Sequence, residues 1–322
     1  MKKYGLYILL ISMGILISYL ILADFLKTSV KKRQGNPYAY NIEAFKKIDP
    51  DLVKYAEIRR IRLSLPDPVG INYHQGKLGI AYKHAIQLID TLGREVFNQE
   101  TGEVNTCVSF SPEGKMFLAS GREIHQLDPQ GTFTQSWKVD GEDPIITALA
   151  FKNNQVLAAS AGQWKVLRFD EHGTLLDSFD GTGRLEGDYG FILPSPYFDM
   201  QIDPDGELWV ANTGLLTLEN YAENGTLRAF WGKPSFDVDG FTGCCNPVHF
   251  AILPDGSFVT SEKGLIRIKI HLPSGEFDCL VAGPEDFEED SEPPDLAVDE
   301  NGRIFVLDIT RSMIRIYKRN NT

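Results

Sequence analysis

The 322-residue chain contains no CxxC, CxxCH or HExxH, so it offers no zinc ribbon, no covalently attached haem and no zincin helix. Positive charge is scarce as well. Lys and Arg number 32 against 44 Asp and Glu, a net charge of −12, and the segment through Arg33 holds six of the positives and one negative. The remainder therefore carries about −17, which cannot neutralise a phosphate backbone. Nucleic acid and anionic lipid headgroups are poor partners, while cations and basic protein surfaces fit better. Histidine is limited to six positions, and long apolar runs to one, Gly5 to Phe25, which carries the single charge Asp24.

What the chain has in quantity is a repeated phrase, in which an apolar strand runs into a tight turn and a second strand leaves it. Its turn residues are Gly76, Gly114, Asn154, Gly206, Gly256 and Gly302, spaced 38, 40, 52, 50 and 46 residues apart. A second turn follows within most units, as in Asp90-Thr91-Leu92-Gly93, Asp128-Pro129-Gln130-Gly131 and Asp170-Glu171-His172-Gly173. Asp, Asn, Pro and Gly supply hairpin angles, and alternating apolar residues supply the strands. Two hairpins per unit make a four-stranded blade, and a period of this length belongs to a radial β repeat. The sixth unit stops after Met313 to Tyr317 and lacks its outer strand, while Glu57 to Leu63 upstream reads as a strand that fills the vacancy. The expected fold is an all-β, six-bladed propeller closed by its two chain ends, which leaves no open sheet edge.

Pro204-Asp205-Gly206 with Trp209-Val210-Ala211-Asn212, and Asp299-Glu300-Asn301-Gly302 with Ile304 to Asp308, resemble the strand–turn–strand signature of the NHL-repeat β-propeller family. The segment from Gly243-Cys244-Cys245-Asn246-Pro247 to Gly264 is similar to a bacterial, membrane-tethered NHL subgroup. The resemblance covers roughly residues 55 to 320 and implies the fold; the family is functionally mixed and implies no activity. Units one and three depart from it, with first turns one residue short and Asn154 in place of glycine.

The run Gly5 to Phe25 is long enough as a helix to cross a ~30 Å hydrocarbon core. A cleaved signal peptide is the rival reading, but no small-x-small site follows, and no nearby cysteine suits a lipoprotein. The expected organisation is thus a transmembrane anchor over 1–26, a basic flank and tether over 27–53 with a short helix at Ile42 to Ile48, and a propeller over 54–322. Lys27, Lys31, Lys32 and Arg33 outnumber Lys2 and Lys3, which favours a cytoplasmic propeller. A short basic N-terminus before an early apolar span, however, resembles a bacterial export anchor. The expected location is a single pass through the bacterial cell membrane, with the propeller extracytoplasmic.

Residues of each innermost strand alternate between blade interface and central channel. The apolar phase assigns Met200, Phe250 and Leu296 to the interface, so the residues before them face the channel entrance. The ring reads Gly70, Cys107, Ala148, Asp199, His249 and Asp295, and the next layer Asn72, Ser109, Ala150, Gln201, Ala251 and Ala297. Two carboxylates and an imidazole, with the Cys107 thiol across the channel, form a ligand set for divalent iron, manganese or zinc. A water-filled channel would equally solvate such residues. The vicinal pair Cys244-Cys245 lies just before His249 and either closes a strained disulfide or presents two soft ligands. Small residues packing a loop is the plainer account.

The longer connections, Gly181 to Pro196, Gly232 to Asn246 and Gly283 to Pro294, open on the same face. They offer aromatic surface at Tyr189, Phe191, Tyr197, Trp231 and Phe236, beside Asn212, Glu262, Lys263, Asp308 and Arg311. Extended loops on one face of a repeat scaffold mark a binding face. The acidic run Glu285 to Asp290 and the segment Asp237 to Gly240 read as solvated loops or weak calcium sites. A module that binds a protein partner through this face is the favoured function. The alternatives are a metal-dependent lyase or hydrolase using Asp199, His249 and Asp295, and a redox or copper-handling protein using Cys107, Cys244, Cys245 and His249. NHL-type peptide-amidating lyases rely on several channel histidines, whereas only His249 occupies a ring position here, and calcium lactonase-type propellers are similar only in part.

Overall fold

Alternating apolar strands and Asx-capped turns organise almost the whole chain. The computed structural model describes residues 2–30, 45–183 and 190–320 and divides into two compact units, Met1–Ala44 and Phe45–Thr322. The second unit holds six antiparallel four-stranded sheets. Blades 1 to 5 span 68–100, 105–138, 146–179, 200–231 and 249–282, and blade 6 comprises 295–319 with Tyr55–Arg62 as its outer strand. That strand pairs antiparallel with Met313–Arg319, from Tyr55 opposite Arg319 to Arg62 opposite Met313. The chain ends close the ring as expected, and Arg315 reaches Glu57 at 2.6 Å across the seam.

The turns follow from their residues. Asp90, Asp128, Asp170, Asp203 and Asp299 each accept the backbone N–H groups two and four positions on. This local bonding offers the backbone a turn in place of a continued strand. In blade 3, Lys152 pairs with Gln155 across the two-residue turn Asn153-Asn154, whose φ angles are 51° and 60°. Asparagine tolerates that left-handed region, so Asn154 works where other blades use glycine.

The core is distributed. Six buried clusters each draw on two adjacent blades, for example Ile268 and Ile270 of blade 5 with Leu296 and Ile304 of blade 6. A single blade cannot bury both of its faces, so each requires its neighbours, and apolar burial thereby fixes the ring.

The N-terminal helix runs Lys2–Val30. Among the described residues, however, no helix is long and apolar enough to cross a membrane, and the transmembrane anchor expected over 1–26 is not supported. Lys31, Lys32, Arg33 and residues 42–44 of the helix expected at Ile42 to Ile48 lie outside the described residues, and of the remainder only Phe45 and Lys46 are helical. The end of the expected tether packs on the propeller: Phe45 stacks near Phe236 at 5.3 Å, and Lys54 N–H donates to Leu280 O at 3.1 Å.

Candidate functional site

The inner strands of blades 4, 5 and 6 begin at Met200, His249 and Asp295. Met200, Phe250 and Leu296 are buried between blades, which turns Asp199, His249 and Asp295 towards the channel. One ligand-type atom from each of these three lies within 4.8 Å of the others, and this is the one such group among the described residues. His249 Nδ1 is 3.7 Å from Asp199 Oδ2 and 3.5 Å from Asp295 Oδ1.

Backbone amides hold both carboxylates. Asp199 accepts from its neighbour Met200 N–H at 2.8 Å and from Phe250 N–H of the next blade at 2.9 Å. Asp295 likewise accepts from Leu296 N–H at 2.7 Å and from Ile71 N–H at 2.8 Å, across the seam between blades 6 and 1. Burial lowers the proton affinity of His249, but the charges of Asp295 and Asp199 outweigh it and hold the imidazole above its ordinary value. Asp295 is pushed up, chiefly by burial and against the pull of His249, with Asp199 adding to the rise.

Cys107 does not join this group. It is 7% exposed and packs with Phe117, Ala119 and Ile146 in the core between blades 2 and 3. Burial first, then Asp295 and Asp199, push its thiol far up, so it is protonated in the metal-free protein.

Asp199 and His249 also line a cavity of about 550 Å³, with Val69, Ile145, Pro196, Tyr197, Pro293 and Ile309 among its walls. Glu292 adds a carboxylate to the rim. The inner channel layer, Asn72, Ser109, Ala150, Gln201, Ala251 and Ala297, lines a separate cavity of about 240 Å³ that also takes in the turn residues His74, Ser111 and Pro112.

Several residues expected on the binding face are structural. Asn212 is fully buried and ties Ile192 N–H, Gly190 O and the Glu219 carboxylate together. Asp308 is buried and pairs with Arg311, whose guanidinium also grips Glu288 and Asp286 O and so fastens the acidic loop. Trp231 packs on Phe258 and His271, and Phe191 is buried against Phe198. Tyr189 lies outside the described residues. Lys263 and Tyr197 remain at the mouth, with the ammonium 5.0 Å from the ring centre and the Tyr197 ring set edge-on to His249. The acidic segments converge on cations: Glu289 on Lys46, Glu288 on Arg311 and Asp239 on Lys233.

Glu262, another expected surface residue, is the centre of a buried ionic cluster. It bonds Arg267 at 3.0 and 3.1 Å and Lys269 at 2.9 Å, and all three side chains are at most 1% exposed. Burial pushes the Lys269 ammonium down to about 8 despite Glu262. His271 lies two residues on, with Nδ1 donating to Gly275 O and Nε2 unpartnered among the described residues. Burial, helped by Lys269, pushes it from 6.5 down to about 3. The folded protein thus keeps His271 neutral where the unfolded chain binds a proton. Its effect on stability is nil above pH 6.5 and grows as pH falls towards 3, at up to about 1.4 kcal/mol per pH unit. His271→Phe should flatten the fall in urea stability between pH 6.5 and 4, and an unchanged slope would refute the assignment.

No family model and no curated protein matches the chain. Among solved structures it is similar to a streptogramin B lyase, at 15% identity and TM-score 0.59, over 83% of this chain and 98% of that one. A virginiamycin B lyase from Staphylococcus aureus aligns at 13% identity and TM-score 0.59, over 83% and 100%. The WD40 propeller domain of Doa1 aligns at 13% and 0.53, over 79% of each chain. At these identities the likeness carries the fold, a β-propeller, and nothing finer.

Proposed function

We propose that the chain is a binding module in which Asp199, His249 and Asp295 hold a divalent metal ion at the channel-mouth cavity, where a ligand or partner group completes its coordination. The convergence of one ligand atom from each residue within 4.8 Å carries this reading. The separations from His249 Nδ1, 3.5 and 3.7 Å, exceed a good hydrogen bond. Donors about 2.1 Å from a shared ion stand about 3.0–3.5 Å apart in octahedral or tetrahedral geometry. Two carboxylates with an imidazole suit iron, manganese or zinc. The amides on each carboxylate leave further lone pairs for an ion while fixing its orientation. Apolar walls with a few convergent polar groups are the composition of a ligand site, and the charge deficit outside the N-terminal segment favours a basic partner. The repeat is assigned to the NHL type on the Pro204-Asp205-Gly206 and Asn301-Gly302 signatures.

Full-length protein dialysed against Mn²⁺, Fe²⁺ or Zn²⁺ is expected to retain roughly one ion per chain and to gain about 2.7 kcal/mol at a hundredfold excess over Kd. His249→Ala should abolish both effects. A protein that retains no ion and whose melting temperature is indifferent to metal would sink the reading. The three-ligand set also supports a second reading, since an open position admits a metal-activated water for lyase or hydrolase chemistry. Turnover of ester or lactone substrates by the metal-loaded protein, lost in His249→Ala, would favour the enzyme.

A further inference from the structure

Four cysteines are present and none is disulfide-bonded. Cys107 and Cys279 are buried, whereas Cys244 is exposed and its Sγ lies 3.2 Å from that of buried Cys245. We infer that Cys244 and Cys245 form a modification site, a vicinal dithiol that a low-molecular-weight disulfide converts to an intramolecular disulfide. A reagent from solution reaches Cys244 first, and the second thiol already stands beside it.

The loop holds the pair in place. Asn246 donates from Nδ2 to Thr242 O at 2.6 Å and accepts Lys263 N–H on Oδ1 at 2.8 Å, which braces the dipeptide from both sides. The neighbouring Cys245 thiol holds Cys244 above its ordinary value, and the Lys263 charge opposes that rise only in part. In the first step the Cys244 thiolate attacks the small disulfide, forms a mixed disulfide and releases one small thiolate. In the second, the Cys245 thiolate attacks Cys244 Sγ and displaces the other. Two protein thiols lose two electrons and two protons, and one small disulfide becomes two thiols. Adjacent Cα atoms are about 3.8 Å apart across a trans peptide, shorter than the usual ~4.4–6.8 Å of a disulfide. The product is strained, a property of labile rather than structural disulfides. It also forms beside the mouth, because Lys263, whose N–H bonds Asn246, holds its ammonium 5.0 Å from the centre of the Tyr197 ring.

Reduced full-length protein should be incubated with glutathione disulfide under native conditions and mapped by mass spectrometry without reduction. The expected peptide containing both residues lacks two hydrogens, carries no glutathione and is restored by dithiothreitol, with Cys107 and Cys279 unmodified. Cys245→Ser should stop at a glutathione adduct on Cys244. Wild-type protein that stays fully reduced, or that accumulates a stable adduct on Cys244, would overturn the inference.

Discussion

Replacing Glu262 by Ala is expected to destabilise the propeller by about 3–5 kcal/mol, the cost of stripping one partner from a buried ion cluster. Glu262 bonds Arg267 through two nitrogens and Lys269 through one, and it also accepts Thr242 N–H at 3.2 Å. Without it, two cations remain buried without a carboxylate in contact, Arg267 left with Phe236 O and Lys269 with Gly240 O and the Phe241 ring. Lys269 would then lose its proton at still lower pH, since the carboxylate is what opposes desolvation. The loss should appear as a fall in melting temperature of roughly 6–15 °C. Combining Glu262→Ala with Lys269→Met should recover part of it by removing one stranded charge. A loss below about 1 kcal/mol would show instead that water reaches the cluster.

Asp199→Ala is expected to cost about 3 kcal/mol, whereas His249→Ala should cost less than about 1 kcal/mol, although both remove a channel residue. The difference lies in the bonds. The Asp199 carboxylate joins blade 4 to blade 5 by accepting Met200 and Phe250 N–H, and truncation leaves both buried amides unpaired. The His249 ring nitrogen is 3.5 Å or more from either carboxylate and makes no short bond to lose. Urea titrations of both variants, beside their metal retention, separate a structural clamp from a ligand: His249→Ala should lose the ion and keep the fold. Equal losses of stability would mean that the imidazole is itself part of the clamp.

Blade number, ring closure and strand phase were all legible before any coordinate, because turn chemistry and period-two alternation act within a few residues. The two short turns fall at Gln75-Gly76 and Asn153-Asn154, where His74 pairs with Lys77 and Lys152 with Gln155. That register placed Asp199, His249 and Asp295 correctly in one ring. The same reasoning put Cys107 in the ring, yet its thiol is buried between blades 2 and 3 and lies outside the three-residue group. The exposed-loop reading of Asn212, Glu262 and Asp308 also failed. A polar residue after an inner hairpin reads as surface until the neighbouring connection folds over it, as Phe236 and Gly240 do over Arg267 and Lys269.

The sequence by itself therefore determined the six-bladed ring and the channel positions, which rest on local backbone preferences and apolar alternation. Only the tertiary structure decided which polar residues are buried partners and which remain at the mouth. Burial of a charge depends on groups tens or hundreds of residues away: Ile71 N–H bonds Asp295, 224 residues on, and Phe250 N–H bonds Asp199, 51 residues back. No local pattern encodes those distances; packing between blades does.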